Sequence, residues 1–193
     1  MPKVVPEYKE QARERILQAA QHVFSEKGYH EARMDDIALK LGVSKRTLYL
    51  YYKNKEELFK AMCAGVPQAM REMLQACLKK GDFKEACMDF FDVSTEGPVT
   101  GLNFEIIAAA SHNEALREIE KGLYESEIGV LSQFLQEMKR KGTLPEDFDA
   151  PRVARALIAL YDGLMAELVL GVKKSEARQA WVEATNRMMN TAS

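Results

Sequence analysis

The 193-residue sequence predicts an all-α protein, with a three-helix helix-turn-helix domain at residues 1–53 and a larger helical domain at 54–193. Three observations lead there. Apolar residues recur at three- and four-residue spacing along most of the chain, which places them on one face of a helix. Alternating Val/Ile/Thr runs between turn signals, the mark of strands, are absent. Gly, Pro and Ser/Asn-led breaks cut the periodic stretches into lengths usual for globular helices.

The first helix is expected from about Glu7 to Glu26, with Ile16, Ala20, Val23 and Phe24 on one face and Lys27-Gly28 stopping it. A short second helix, Met34 to Leu41, buries Ile37, Ala38 and Leu41 and ends at Gly42, where a left-handed residue is cheap. Ser44 N-caps the third helix, which ends near Tyr52. Asn54 and Glu57 form a capping pair for a long fourth helix, running to Lys79 or Lys80 with a break near Gly65-Val66-Pro67. Gly81-Asp82 closes that helix. Further helices are expected near 83–93, 99–110, 113–141, 150–170 and 174–190. The separating signals are Glu96-Gly97-Pro98, the capping box Ser111-His112-Asn113-Glu114, Gly142-Thr143-Leu144-Pro145 and Gly171.

Composition narrows the function classes. The chain is 47% apolar and 29% charged, as soluble globular proteins are. No apolar run reaches the roughly 18 residues of a membrane span. The N-terminus lacks the apolar centre of a secretion signal, so a cytoplasmic chain with no membrane partner is expected. Cys63, Cys77 and Cys87 read as small buried apolar residues, and His22 and His30 as surface or helix-junction residues. No nucleophile elbow, phosphate-binding glycine loop or metal-spaced His/Asp/Glu cluster is present. Neither an enzyme nor a metal or cofactor site is therefore expected. Charge is uneven: residues 1–62 carry 12 Lys/Arg against 9 Asp/Glu, a net of +3, and the rest carry 15 against 20, a net of −5. A positive head on a negative body points to a polyanion at the N-terminal end.

The stretch 34–52 gives that polyanion a binding element. Two short helices around Gly42-Val43-Ser44 form a helix-turn-helix, its angle fixed by Leu41, Val43, Leu48 and Tyr52. The second helix would present its N-terminal residues to the major groove of double-stranded DNA. Ser44 suits a phosphate; Lys45 and Arg46 suit guanine O6/N7 or phosphate; the Thr47 methyl suits a thymine methyl. The Tyr49 phenol can reach a backbone oxygen, and Lys55 can take a further phosphate.

The run GYHEARMDDIALKLGVSKRTLYLYYKNKEELF resembles the DNA-binding domain of the TetR family of transcriptional regulators. Gly28, Tyr29, Ile37, Ala38, Gly42, Val43, Ser44, Leu48, Tyr49, Tyr51, Lys55 and Leu58 stand at the matching positions. Three departures are informative. Ala32-Arg33 replaces the usual Thr pair before the second helix, which makes Arg33 the candidate phosphate contact. Tyr52 replaces a Phe and adds a hydroxyl. Leu50 stands where many members are polar, and is either partly exposed or set against a thymine methyl.

The resemblance implies a homodimer on a pseudo-palindromic operator, a dimer interface from the last two long helices, and a small-molecule effector held in the helical domain. Ala156, Ala159, Gly163 and Ala166 form a small-residue stripe suited to close helix approach, with Trp181, Ala184, Thr185 and Met188 as a matching face. Ten Met residues suggest an adaptable apolar interior. The expected wall of a pocket for a mostly hydrophobic ligand is Met62, Met70, Phe90, Phe104, Ile107, Tyr124, Ile128, Tyr161 and Met165. The implied function is a ligand-released repressor, with an activator or a partner-protein-controlled regulator of the same fold as the alternative.

Overall fold

The computed structural model describes residues 6–78, 83–96 and 101–190. Ten helices, and no strand, occur among the described residues: α1 Pro6–Glu31, α2 Met34–Leu41, α3 Lys45–Tyr49, α4 Lys55–Cys63, α5 Val66–Leu78, α6 Phe83–Ser94, α7 Leu102–Ala110, α8 Glu114–Arg140, α9 Ala150–Val169 and α10 Lys174–Asn190. The expected all-α architecture is what forms. The expected helix end at Lys79 or Lys80, the stop at Gly81-Asp82, and Gly97-Pro98 lie outside the described residues.

Local chemistry sets the boundaries. Gly28, at φ 76° and ψ 163°, breaks the helical path within α1. α4 stops at Cys63 and α5 begins at Val66, with Pro67 in its first turn, where a missing N–H leaves no intrahelical bond unmade. The Asn54 side chain caps α4 by accepting the Glu57 N–H at 2.7 Å, and Glu57 answers one residue early by accepting the Lys53 N–H at 2.7 Å. The capping box expected at Ser111 is shifted. The Ser111 hydroxyl turns back to the Ala108 carbonyl (2.6 Å), and Asn113 caps α8 by accepting the Leu116 N–H (3.0 Å). Ser111 closes α7 and is two residues too early to open the next helix.

The chain forms two compact units. One comprises the residues up to Gly65 together with Gly101–Glu120; the other comprises Val66–Thr100 and Lys121 onward. In the first, α1 packs on α2, α4 and α7, and α2 on α3. Its core holds Ile16, Phe24, Ile37, Leu48, Leu58 and Ile106, with Tyr29 wedged between Phe24 and Phe59 at 5.4 Å centroid separations. α4 and α7 fall in this unit, not with the later helices, because Leu58, Phe59, Ile106 and Ala110 are buried in that core. In the second unit α6 packs on α5 and α10, and α10 on α9. No helix among the described residues is long and apolar enough to cross a membrane.

Candidate nucleic-acid interface

The turn between α2 and α3 is built from backbone outward. Gly42 adopts the left-handed conformation (φ 70°), and the Val43 N–H reaches back to the Ala38 carbonyl at 3.1 Å, closing α2. Ser44 is extended and caps α3, its Oγ accepting the Thr47 N–H at 3.1 Å and lying 2.8 Å from the Thr47 hydroxyl. Leu48 is fully buried and Tyr52 nearly so, which pins α3 against the first-unit core. That pinning turns the other side of the helix outward. Arg33, Ser44, Lys45, Arg46, Tyr49 and Leu50 are all exposed, Thr47 is half-buried, and Leu50 stands 78% exposed. An apolar side chain so open gains nothing from the core and is available to a partner surface.

Charge on this face is organised by residues the sequence reading passed over. Lys45 is ion-paired to Asp35 of α2 at 2.7 Å and lies 5.9 Å from the Tyr49 ring centroid. The Asp35 hydrogen bond raises the Lys45 pKa. Asp36 accepts from Lys27 (2.7 Å) and from the Arg33 N–H (2.9 Å), and these bonds, the Lys27 one first, lower its pKa. Asp35 and Asp36 occupy the first turn of α2, where carboxylates offset the helix dipole. That pattern marks a helix start but says nothing of a lysine ten residues on.

Lys55 is a correction. Its ammonium is turned inward, donating to the carbonyls of Tyr29 (2.6 Å), Ala32 (3.0 Å) and His30 (3.3 Å) and sitting 4.4 Å from the Tyr29 ring centroid. An ammonium has three protons, so three carbonyls occupy it. Burial lowers its pKa, opposed by the Glu56, Glu105 and Glu31 charges. Its role is to close the end of α1 from within.

In the second unit, a cavity of about 50 Å³ opens among α5, α6, α8, α9 and α10. Of the expected wall, Met70, Phe90 and Tyr161 line it. Met62, Phe104 and Ile107 belong to the first unit, where Met62 packs on the core and Ile107 is 54% exposed, because α7 turns Ile106 inward instead. Ile128 and Met165 are buried away from the cavity, and Tyr124 is half-buried outside its wall. The sequence reading missed Leu74, Cys87, Leu135, Leu157 and Thr185, whose helical spacing is that of any core residue.

Trp181 is a second correction: it lines this cavity instead of an intersubunit face. Its ring lies 5.9 Å from both Phe90 and Tyr161, and its Nε1 donates to the Cys87 carbonyl at 2.9 Å. Thr185 is equally enclosed, its hydroxyl donating to the Trp181 carbonyl (2.7 Å). Three of the four residues of the small-residue stripe on α9 are exposed. Ala156, Ala159 and Gly163 are exposed, while Ala166, Ala184 and Met188 are half-buried.

Comparison with known proteins accounts for both units. The profile described as bacterial regulatory proteins, tetR family, matches residues 16–62. That described as BetI-type transcriptional repressor, C-terminal, matches residues 70–189. The Bacillus subtilis uncharacterized HTH-type transcriptional regulator YfiR is 25% identical over 171 residues, covering 85% of this chain and 83% of the relative. A TetR-family regulator structure from Rhodococcus superposes with a TM-score of 0.81 at 20% identity, covering 94% of this chain and all of that one. The Bacillus subtilis regulator FadR, solved with stearoyl-CoA, superposes at 0.66 with 18% identity, over 93% of this chain and 99% of that one. The family match spans the exposed α3 face and the cavity-bearing helices alike, and this protein belongs to the TetR family of bacterial regulatory proteins, as a DNA-binding transcriptional regulator.

Proposed function

We propose that the protein is a homodimeric cytoplasmic repressor, released from a pseudo-palindromic operator when a mostly hydrophobic small molecule enters the second unit. The observation that carries the reading is the outward face of α3, where Lys45, Arg46, Tyr49 and Leu50 are exposed while Leu48 and Tyr52 anchor the helix. Lys45 and Arg46 would read guanine edges or phosphates, Thr47 and Leu50 thymine methyls, and Ser44, Tyr49 and Arg33 the backbone. Lys55 has no part in it. The description of the second profile as a repressor's C-terminal region supports the sign of regulation.

The exposed Ala156, Ala159 and Gly163 of α9, with the half-buried Ala184 and Met188 of α10, would let two helices from each subunit form a four-helix interface. The cavity supports the effector reading. Its wall is almost wholly apolar, and the Trp181 and Thr185 donors are already bound to backbone carbonyls, so the wall selects for hydrophobic ligands. At about 50 Å³ it is smaller than an apolar cavity of about 150 Å³ that takes benzene, so an effector must open it. A preference of about 1–3 kcal/mol for the opened, non-binding conformation would weaken operator affinity about 5- to 150-fold.

Fluorescence anisotropy on duplex DNA from immediately upstream of the protein's own gene, over a salt series, tests the reading. Saturable binding that falls steeply with salt, is lost in Lys45→Ala, and is relieved by a hydrophobic ligand is the expected result. A ligand-bound dimer with unchanged operator affinity would remove the effector role.

A further inference from the structure

Outside the α3 face, a dense polar construction in the first unit surrounds residues 28–32, the segment after the Gly28 break that ends α1 and leads into α2. Gly28 holds φ 76° and ψ 163°, a region open almost only to glycine. The space a Cβ would fill there is occupied by the Glu105 carboxylate of α7, whose Oε1 and Cδ would lie 2.8 and 2.9 Å from it, with Oε2 closer still. The same carboxylate accepts the His30 N–H at 2.7 Å. On the acceptor side of the segment, Lys55 of α4 gathers the carbonyls of Tyr29, His30 and Ala32. An anion thus satisfies an N–H of this segment and a cation its C=O groups, from two helices that lie outside the α2–α3 motif.

α7 delivers Glu105 there because Ile106 and Ala110 are buried in the first-unit core. The segment in turn sets α2. Its next residue, Arg33, is the extended N-cap of α2, and Asp35 on that first turn holds Lys45 of α3. A chain of short contacts therefore runs from Glu105 through the His30 amide to the entry of α2 and on to the exposed face of α3.

We propose that Glu105 is a positioning residue for operator binding: its carboxylate, seated against Gly28 and accepting the His30 N–H, fixes the segment leading into α2 and with it the setting of α2 and α3. The inference rests on the operator-binding reading above. It assigns a role in DNA affinity to a side chain that contacts no DNA and stands 75 residues from its amide partner.

The test uses the full chain and an operator enriched by the wild-type protein from a random duplex pool. Operator affinity, active fraction by stoichiometric titration, and amide exchange of the 28–33 segment are measured for wild type, Glu105→Ala and Glu105→Gln. Glu105→Ala is expected to bind about 5- to 150-fold more weakly at full active fraction, the range of coupling between linked sites. Exchange should quicken in 28–33 and stay unchanged in α9 and α10. Glu105→Gln, which keeps an acceptor for the His30 N–H, should return near wild type. Glu105→Ala with wild-type affinity, or with a reduced active fraction whose remaining molecules bind normally, would overturn the role. So would a Glu105→Gln as weak as Glu105→Ala. Failure of the wild type to enrich any duplex would instead remove the operator reading, and this inference with it.

Discussion

Replacing Lys55 by Met separates two roles that one lysine cannot fill at once. Met keeps the apolar stem and deletes the ammonium, leaving the Tyr29, His30 and Ala32 carbonyls without their shared donor. A hydrogen bond to a charged group contributes about 1.5–3 kcal/mol. The three bonds share one ammonium and the site is half open to water, so they do not add. The contact with the Tyr29 ring contributes about 0.5–1 kcal/mol more. A loss of about 2–3 kcal/mol follows, which at a urea m-value of about 2 kcal/mol per molar lowers the unfolding midpoint by about 1–1.5 M. The assay is urea unfolding by circular dichroism, paired with operator binding over a salt series. A lysine that neutralised a phosphate would, when removed, reduce the slope of log K against log salt by about 0.9 per contact. The structure predicts a lowered midpoint and an unchanged slope for the folded protein. An unchanged midpoint with a reduced slope would refute the reasoning and return Lys55 to the DNA.

Three further outcomes follow from the geometry. Asp35→Asn removes the anion 2.7 Å from Lys45 and frees that lysine, so binding to random-sequence duplex should strengthen and its salt slope steepen by about 0.9 per subunit; an unchanged slope would show that Asp35 does not restrain Lys45. Trp181→Phe removes the indole N–H that the Cys87 carbonyl accepts in addition to its bond within α6, and should lower stability in urea by about 0.5–1.5 kcal/mol. Size-exclusion chromatography should show its association state unaltered, which a Trp181 on a subunit interface would not allow. Burial raises the Asp162 pKa above its ordinary 3.8. A carboxyl raised in the folded state contributes stability fully below pH 3.8 and loses it as pH rises through the folded pKa. Asp162→Asn should therefore be more stable than wild type at neutral pH, with the advantage vanishing below about pH 3.8 in thermal melts; an advantage constant with pH would place its origin elsewhere.

The amino-acid sequence by itself determined the helices and the DNA-reading motif. α2 spans the expected Met34–Leu41, Ser44 caps α3, and Leu48 and Tyr52 turn inward, because capping, a left-handed glycine and three-to-four-residue apolar spacing act within a few residues of chain. The resemblance through residues 28–59 lay in that same local pattern. Tertiary structure alone decided which charges face outward. Lys55 finds carbonyls 23 to 26 residues away, Glu105 an amide 75 residues away, and Trp181 a carbonyl 94 residues away. Met62 and Ile107 were expected at a cavity that formed in the other unit, since helical spacing marks an apolar face without saying which neighbour covers it. Such contacts depend on how whole helices pack, and a lysine that closes a helix end carries the same letter as one that meets a phosphate.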